Sequence, residues 1–212
     1  MIKGVIFDRD WILIDSEWVN INAAIEAFEK FGIKITDEDK KHIVGTHPRD
    51  YLKYFQTKYD FDVEKFKQIQ PNMYYALFDK ATIFQDAIDL VKRIQGNLRL
   101  ALNTWWDLEA NQRLFKRADL DDAFETVVTC EMYENFKPHP ESYLIAMKKL
   151  WLQPHECVAI EDTDRWLASA KAAGAKCIVI PNEYTKNQDF SQADKIVTSA
   201  KEITIEMLKD LE

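Results

Sequence analysis

Short apolar runs alternate with amphipathic stretches through most of the chain. Val5 to Phe7, Leu98 to Leu102, Thr126 to Thr129, Cys157 to Ile160, Cys177 to Ile180 and a weaker Lys195 to Val197 each have the length of a buried strand. Helical patterns such as Leu108 to Arg117, Glu141 to Leu150 and Arg165 to Ala173 stand between the last five. Alternation of this kind implies parallel strands joined by right-handed crossovers, so the predicted fold is α/β with a doubly wound parallel sheet. In such a sheet ligands bind beyond the carboxyl ends of the strands.

Between the first strand and the second the rhythm breaks. From about residue 16 to 79 the pattern is helical almost throughout, with Ile21, Ala24, Ile25 and Phe28 on one face, then Tyr51 to Tyr59 and Val63 to Phe78. This predicts a small helical cap domain over 16–79, inserted into a core made of 1–15 and 80–212. Its position just after Asp10 predicts a lid over whatever site that residue serves. In the loop Gly45-Thr46-His47-Pro48-Arg49, Thr46, His47 and Arg49 are the cap residues expected to face the site, although Arg49 reads equally well as a partner of Asp50 or solvent. The charged run Asp37 to Lys41 reads as a solvated helix face.

At 212 residues and 47 % hydrophobic content the chain can bury a core of one large domain, or of one domain with an insertion. A net charge of -8 disfavours nucleic acid and anionic membranes as main partners. A small anionic substrate would need a cation to meet it. No apolar stretch approaches the roughly 20 residues of a membrane span, and Met1-Ile2-Lys3 leads straight into a strand, so a cytoplasmic monomer is expected. Cys130, Cys157 and Cys177 have no metal-like spacing and read as reduced packing residues; the four histidines add no zinc pattern.

Chemistry is concentrated at strand ends. Asp8 and Asp10 stand one residue apart at the mouth of the first apolar run, where like charges in poor solvent destabilise each other unless a cation or a proton intervenes. Mg2+ suits such oxygen ligands, while a turn capping backbone amides is the plain alternative. Thr104 ends the second run, Lys137 lies between Phe136 and Pro138 just before a helix, and Glu161 and Asp162 follow the fourth run. Singly these read as an N-cap, a surface charge and a strand-ending turn. Together they place acid pair, hydroxyl, lysine and acid pair at one edge of one sheet.

In that order the chain resembles haloacid dehalogenase superfamily hydrolases of the beta-phosphoglucomutase-like branch, which carry a helical cap between their first and second motifs. Phe7 to Asp10 with Leu13 to Glu17 resembles the first motif, Thr104 the second, Lys137 to Glu141 the third, and Glu161 to Thr163 with Ala168 to Gly174 the fourth. The resemblance implies phosphatase or phosphomutase chemistry on a small phosphorylated metabolite. Asp8 would be the nucleophile and Asp10 the general acid and base. Mg2+ would sit on Asp8, the backbone carbonyl of Asp10 and Asp162, with Glu161 in or near its shell, and Thr104 and Lys137 would hold the remaining phosphoryl oxygens. An acid at position 10 favours these reactions over dehalogenation, which has no leaving oxygen to protonate.

The chain departs from that branch where large aromatics replace small residues. Trp11, Phe136, Trp151 and Trp166 stand where glycine is usual, Trp105 and Trp106 where small polar residues are usual, and Arg9 where the residue is usually apolar. Five glycines against six tryptophans carry the same message. Such exchanges cost strain where positive φ is needed and room where a ring replaces a hydrogen. Two readings follow. The tryptophans pack cap against core, or the pocket is a re-engineered one, lined by Arg9, Trp11, Trp105, Trp106, Phe136 and Trp166, for a flat aromatic ligand. In the second, native phosphoryl transfer is lost and Asp8, Asp10, Glu131 or Glu161 is a desolvated base.

Overall fold

A computed structural model describes residues 1–211 except Gly45 and His47, and of Arg49 only the backbone. The chain divides into two compact units, Met1–Ile14 with Ile83–Glu212, and Asp15–Thr82. Its strands are β1 (Gly4–Phe7), β2 (Arg99–Asn103), β3 (Thr126–Val128), β4 (Cys157–Glu161), β5 (Lys176–Val179) and β6 (Lys195–Ile196). The helices are α1 (Ser16–Glu29), α2 (Asp37–Ile43), α3 (Pro48–Lys58), α4 (Val63–Phe78), α5 (Gln85–Ile94), α6 (Leu108–Ala118), α7 (Glu141–Lys149), α8 (Asp164–Ala172) and α9 (Ile205–Lys209).

The larger unit is a six-stranded sheet in the order β3-β2-β1-β4-β5-β6, and every pairing is parallel. From β1 the chain continues to β2 on one side and later returns to β4 on the other, so β1 is the switch point at which ligands of such sheets bind. Register fixes what arrives there: Phe7 pairs with both Leu102 and Ile160, so Asp8, Asn103 and Glu161 leave the three central strands at one level. β1 and β4 are buried along their whole length, which is why they read as unbroken apolar runs. Helix starts at the same edge are capped from within, α6 by Asp107 onto the Ala110 amide at 2.9 Å and α8 by Thr163 onto the Trp166 amide at 3.2 Å. The weak run at 195–197 yields only two paired residues, both exposed. α5, which the pattern reading does not single out, buries Ala87, Ile88, Leu90, Val91 and Ile94 on one stripe.

The smaller unit holds α1 to α4 around Ala24, Ala27, Ile43 and a ring cluster in which Phe28 lies 4.5 Å from Phe55 and 4.4 Å from Phe66. Here the solvated-face reading of 37–41 needs correction. Asp37, Glu38, Lys40 and Lys41 form exposed pairs one turn apart, but Asp39 is fully buried. Its Oδ2 accepts from the Thr36 backbone N–H and Tyr59 Oη, and its Oδ1 from Lys58 Nζ at 2.7 Å. Thr36 and Asp39 close a reciprocal cap on α2, so a carboxylate that begins a helix also ties down α3. In the loop at 45–49, Gly45, His47 and the Arg49 side chain lie outside the described residues; the Thr46 hydroxyl donates to the Val44 carbonyl at 3.2 Å.

Candidate active site

The strand ends bring their charged groups together. β1 runs out into Asp8, whose amide donates to the Ile160 carbonyl at 3.0 Å. Asp8 Oδ1 accepts from Lys137 Nζ at 2.8 Å and Oδ2 from the Asp10 amide at 3.0 Å. Lys137, carried by the loop before α7, also donates to Glu161 Oε1 at 3.1 Å, so one buried ammonium bridges carboxylates from β1 and β4. The Tyr143 hydroxyl of α7 donates to the same Glu161 oxygen. Asp162 is buried beside them, its Oδ2 accepting from Asn182 Nδ2 at 2.8 Å. Thr104 is buried at the end of β2: its amide donates to the Val128 carbonyl at 2.9 Å, and its hydroxyl oxygen accepts from the Trp106 amide at 3.2 Å.

Burial dominates the electrostatics. It raises Asp8 to about 6, with the Lys137 charge opposing and Asp10 adding. Burial also lifts Glu161 well above the carboxylate range, against Lys137, with Asp8 and Asp162 pushing the same way. Asp162 is lifted by burial and by its neighbours Asp8 and Asp10. For Lys137, burial works against the charged form, but Asp8 and Glu161 outweigh it and hold the ammonium above the ordinary lysine range.

Asp8, Glu161 and Asp162 each offer an oxygen within 4.8 Å of the others. Glu161 Oε2 and Asp162 Oδ1 are buried without a hydrogen-bond partner among the described residues. Anionic oxygens left unsatisfied in low dielectric are costly, and a hard divalent cation satisfies an all-oxygen donor set of this kind. The residues present therefore fit such an ion. The Asp10 side chain is not in that cluster. Its Oδ1 accepts from Arg9 Nε at 3.1 Å and Nη2 at 2.8 Å, and the buried Arg9 guanidinium lies 5.0 Å from the Trp106 ring centre.

The aromatic residues divide into separate groups. Trp105, Phe136 and Trp166 crowd the carboxylates: Trp105 and Trp166 meet edge to face at 6.3 Å, Phe136 meets Tyr133 at 5.4 Å, and Lys137 Nζ lies 5.0 Å from the Trp166 ring centre. The hollow they leave with Asp8, Asp10 and Tyr133 measures about 10 Å³, room for about one water. The rings therefore fill the space beside Asp8 more than they line it. Arg9, Trp106 and Trp11 do not border that hollow. Trp106 underlies Arg9. Trp11 packs on Phe84 at 5.4 Å and lines a different cavity of about 320 Å³ with Ile12, Pro181 and Asn182. Trp151 is 85 % exposed in the connection entering β4 from its amino end, away from this edge. Glu131 is exposed, and its carboxylate accepts from Thr129 Oγ1 at 3.0 Å.

Three participants escaped sequence reading. Tyr143 and Tyr133 sit in patterns that read as core, with no local sign that a hydroxyl is in use. Asn182 was findable, since Pro181-Asn182 ends the β5 run at the same sheet edge as the acids.

Known proteins resemble this chain along most of its length. A family model described as haloacid dehalogenase-like hydrolase matches residues 5–180. The Bacillus subtilis protein YhcW is 30 % identical over 99 % of this chain and 97 % of its own length. The phosphorylated carbohydrates phosphatase of Thermotoga maritima is 29 % identical over 84 % of each chain. Among solved structures, CbbY from Rhodobacter sphaeroides in complex with phosphate has a TM-score of 0.85 at 24 % identity, covering 99 % of this chain and 100 % of that one. That likeness concerns the fold.

Proposed function

The chain belongs to the haloacid dehalogenase-like hydrolases, and from that membership and the site geometry we propose that it is a magnesium-dependent phosphatase or phosphomutase of small phosphorylated metabolites, working through an aspartyl-phosphate. The observation that carries this reading is the meeting of Asp8, Lys137, Glu161 and Asp162 in one buried cluster at the sheet switch point. Phosphorylated carbohydrates are the proposed substrate class, after the names of the Thermotoga maritima relative and of hexitol phosphatase B of Escherichia coli, 26 % identical over 96 % of this chain.

In this reading an Asp8 oxygen attacks phosphorus while Asp10 passes a proton to the leaving oxygen. Asp10 then takes a proton from the acceptor, water or a hydroxyl, as that oxygen attacks the phosphoryl group and releases Asp8. Lys137 keeps Asp8 and Glu161 together and, with Thr104, holds phosphoryl oxygens. Asp8, Glu161 and Asp162 would hold Mg2+ with the Asp10 carbonyl, and the ion would supply positive charge against the phosphoryl oxygens. The hollow beside Asp8 has room for about one water, so nothing in it favours a flat aromatic ligand over a phosphoryl group. Seating a phosphoryl group beside Asp8 would require the Phe136 and Trp166 side chains to shift.

The test is release of phosphate from para-nitrophenyl phosphate by the purified chain. Release requires Mg2+, stops on addition of EDTA and is abolished in Asp8→Asn, whose side chain cannot become the acyl phosphate. Turnover surviving in Asp8→Asn would overturn the mechanism.

A further inference from the structure

Arg9 is completely buried, and the proposed chemistry does not use it. Two of its nitrogens grip a single oxygen, Asp10 Oδ1, at 3.1 and 2.8 Å. The guanidinium lies over Trp106, whose own amide is tied to Thr104 Oγ1, so the grip joins the loops after β1 and β2. The Arg9 backbone is held as well, its carbonyl accepting the Leu13 amide at 2.8 Å. The Asp10 amide is committed to Asp8 Oδ2. Asp10 is thus fixed at backbone and side chain, and its Oδ2 accepts no hydrogen bond from the described residues.

The two reactions left open above make different demands on Asp10. In transfer to water, it gives a proton to the leaving oxygen and takes one from water at the same place. In a mutase the proton is returned from a second hydroxyl of the substrate, which presents a different geometry after the substrate has turned, and an adaptable carboxylate suits that exchange. A carboxylate clamped through one oxygen serves a single line of proton transfer. The surrounding rings of Trp105, Phe136 and Trp166 offer little polar purchase to a turning carbohydrate.

We propose that Arg9 is a positioning residue that clamps Asp10 in one orientation and thereby commits the chain to phosphoryl transfer to water. The inference rests on the phosphoryl-transfer reading. The balance of the second half-reaction is simple: water oxygen bonds to phosphorus, the bond from phosphorus to Asp8 breaks, the water proton goes to Asp10, and inorganic phosphate leaves.

The experiment supplies para-nitrophenyl phosphate and Mg2+ with a large excess of glycerol as competing acceptor, and compares nitrophenol with inorganic phosphate released. The native chain yields equal amounts. Arg9→Leu, and Arg9→Lys as the variant that keeps a buried charge but loses the two-nitrogen grip, yield at least about twofold more nitrophenol than phosphate, the difference appearing as glycerol phosphate. A merely structural Arg9 would lower the rate and leave this ratio alone, and an unchanged ratio in a folded, active Arg9→Lys overturns the proposal. Independently of turnover, the clamp predicts a slowly exchanging Arg9 Nε–H resonance in nitrogen-15 spectra that moves in Asp10→Asn. Fast exchange unaffected by Asp10→Asn overturns the clamp. A native chain that releases no nitrophenol while this resonance is protected locates the failure in the phosphoryl-transfer reading.

Discussion

Trp11 and Trp151 adopt φ of 57° and 54°, the left-handed region that costs a bulky residue roughly 1 kcal/mol or more. Both were legible as positions where glycine is usual. What the rings do there was not, because a side chain's direction follows from the backbone angle and from its packing. Trp151 follows the last turn of α7, its amide donating to the Lys148 carbonyl at 3.1 Å, and its ring is in water. Trp151→Gly should therefore raise stability by about 1 kcal/mol in urea titration, strain being relieved with little packing lost. Phe136 is the outermost ring of the crowded hollow at 39 % exposed, and Phe136→Gly removes it without touching the Lys137 ion pairs. Steady-state kinetics with para-nitrophenyl phosphate should show KM falling roughly tenfold with kcat little changed, as expected when only uniform binding alters.

At the scale of elements, the acidic start of α2 shows where pattern reading stops. Five consecutive charged residues look solvated, yet the one at the third helical position turns inward, because a reciprocal cap aims it back over the helix start, where Lys58 and Tyr59 meet it. Burial pushes Asp39 up, but hydrogen bonds from Lys58, Thr36 and Tyr59 outweigh it and hold the carboxyl below the usual range. A depressed native value contributes stability that is complete above the unfolded value of about 4 and is lost as pH falls through the native one. Urea titrations of the helical unit's unfolding should show this loss on going from neutral pH to about pH 3, and Asp39→Asn should be less stable by about 2 to 3 kcal/mol at neutral pH, with a flatter acid limb.

For the whole molecule, one oxygen each of Glu161 and Asp162 has no hydrogen-bond partner among the described residues, and a divalent ion bound there would satisfy both. Thermal melts should therefore shift upward on adding Mg2+, by the equivalent of about 2.7 kcal/mol at a hundred times the dissociation constant. Asp162→Asn keeps an oxygen for Asn182 but takes a carboxyl group out of the cluster, so the Mg2+ increment in the melting point should disappear. EDTA should reverse the shift in the native chain alone.

Much of the architecture was written in the alternation of apolar runs and amphipathic segments. Backbone periodicity is local, so parallel strands, the edge that carries Asp8, Thr104, Lys137, Glu161 and Asp162, and the inserted helices could be read one stretch at a time. Tertiary structure alone decided which atoms meet: Lys137 with Asp8 across 129 positions, Tyr143 with Glu161, Arg9 turned onto Asp10 and Trp106, and three rings filling the hollow. Those outcomes depend on strand register, rotamer and the volume left between packed elements, quantities to which residues far apart in the chain contribute at once.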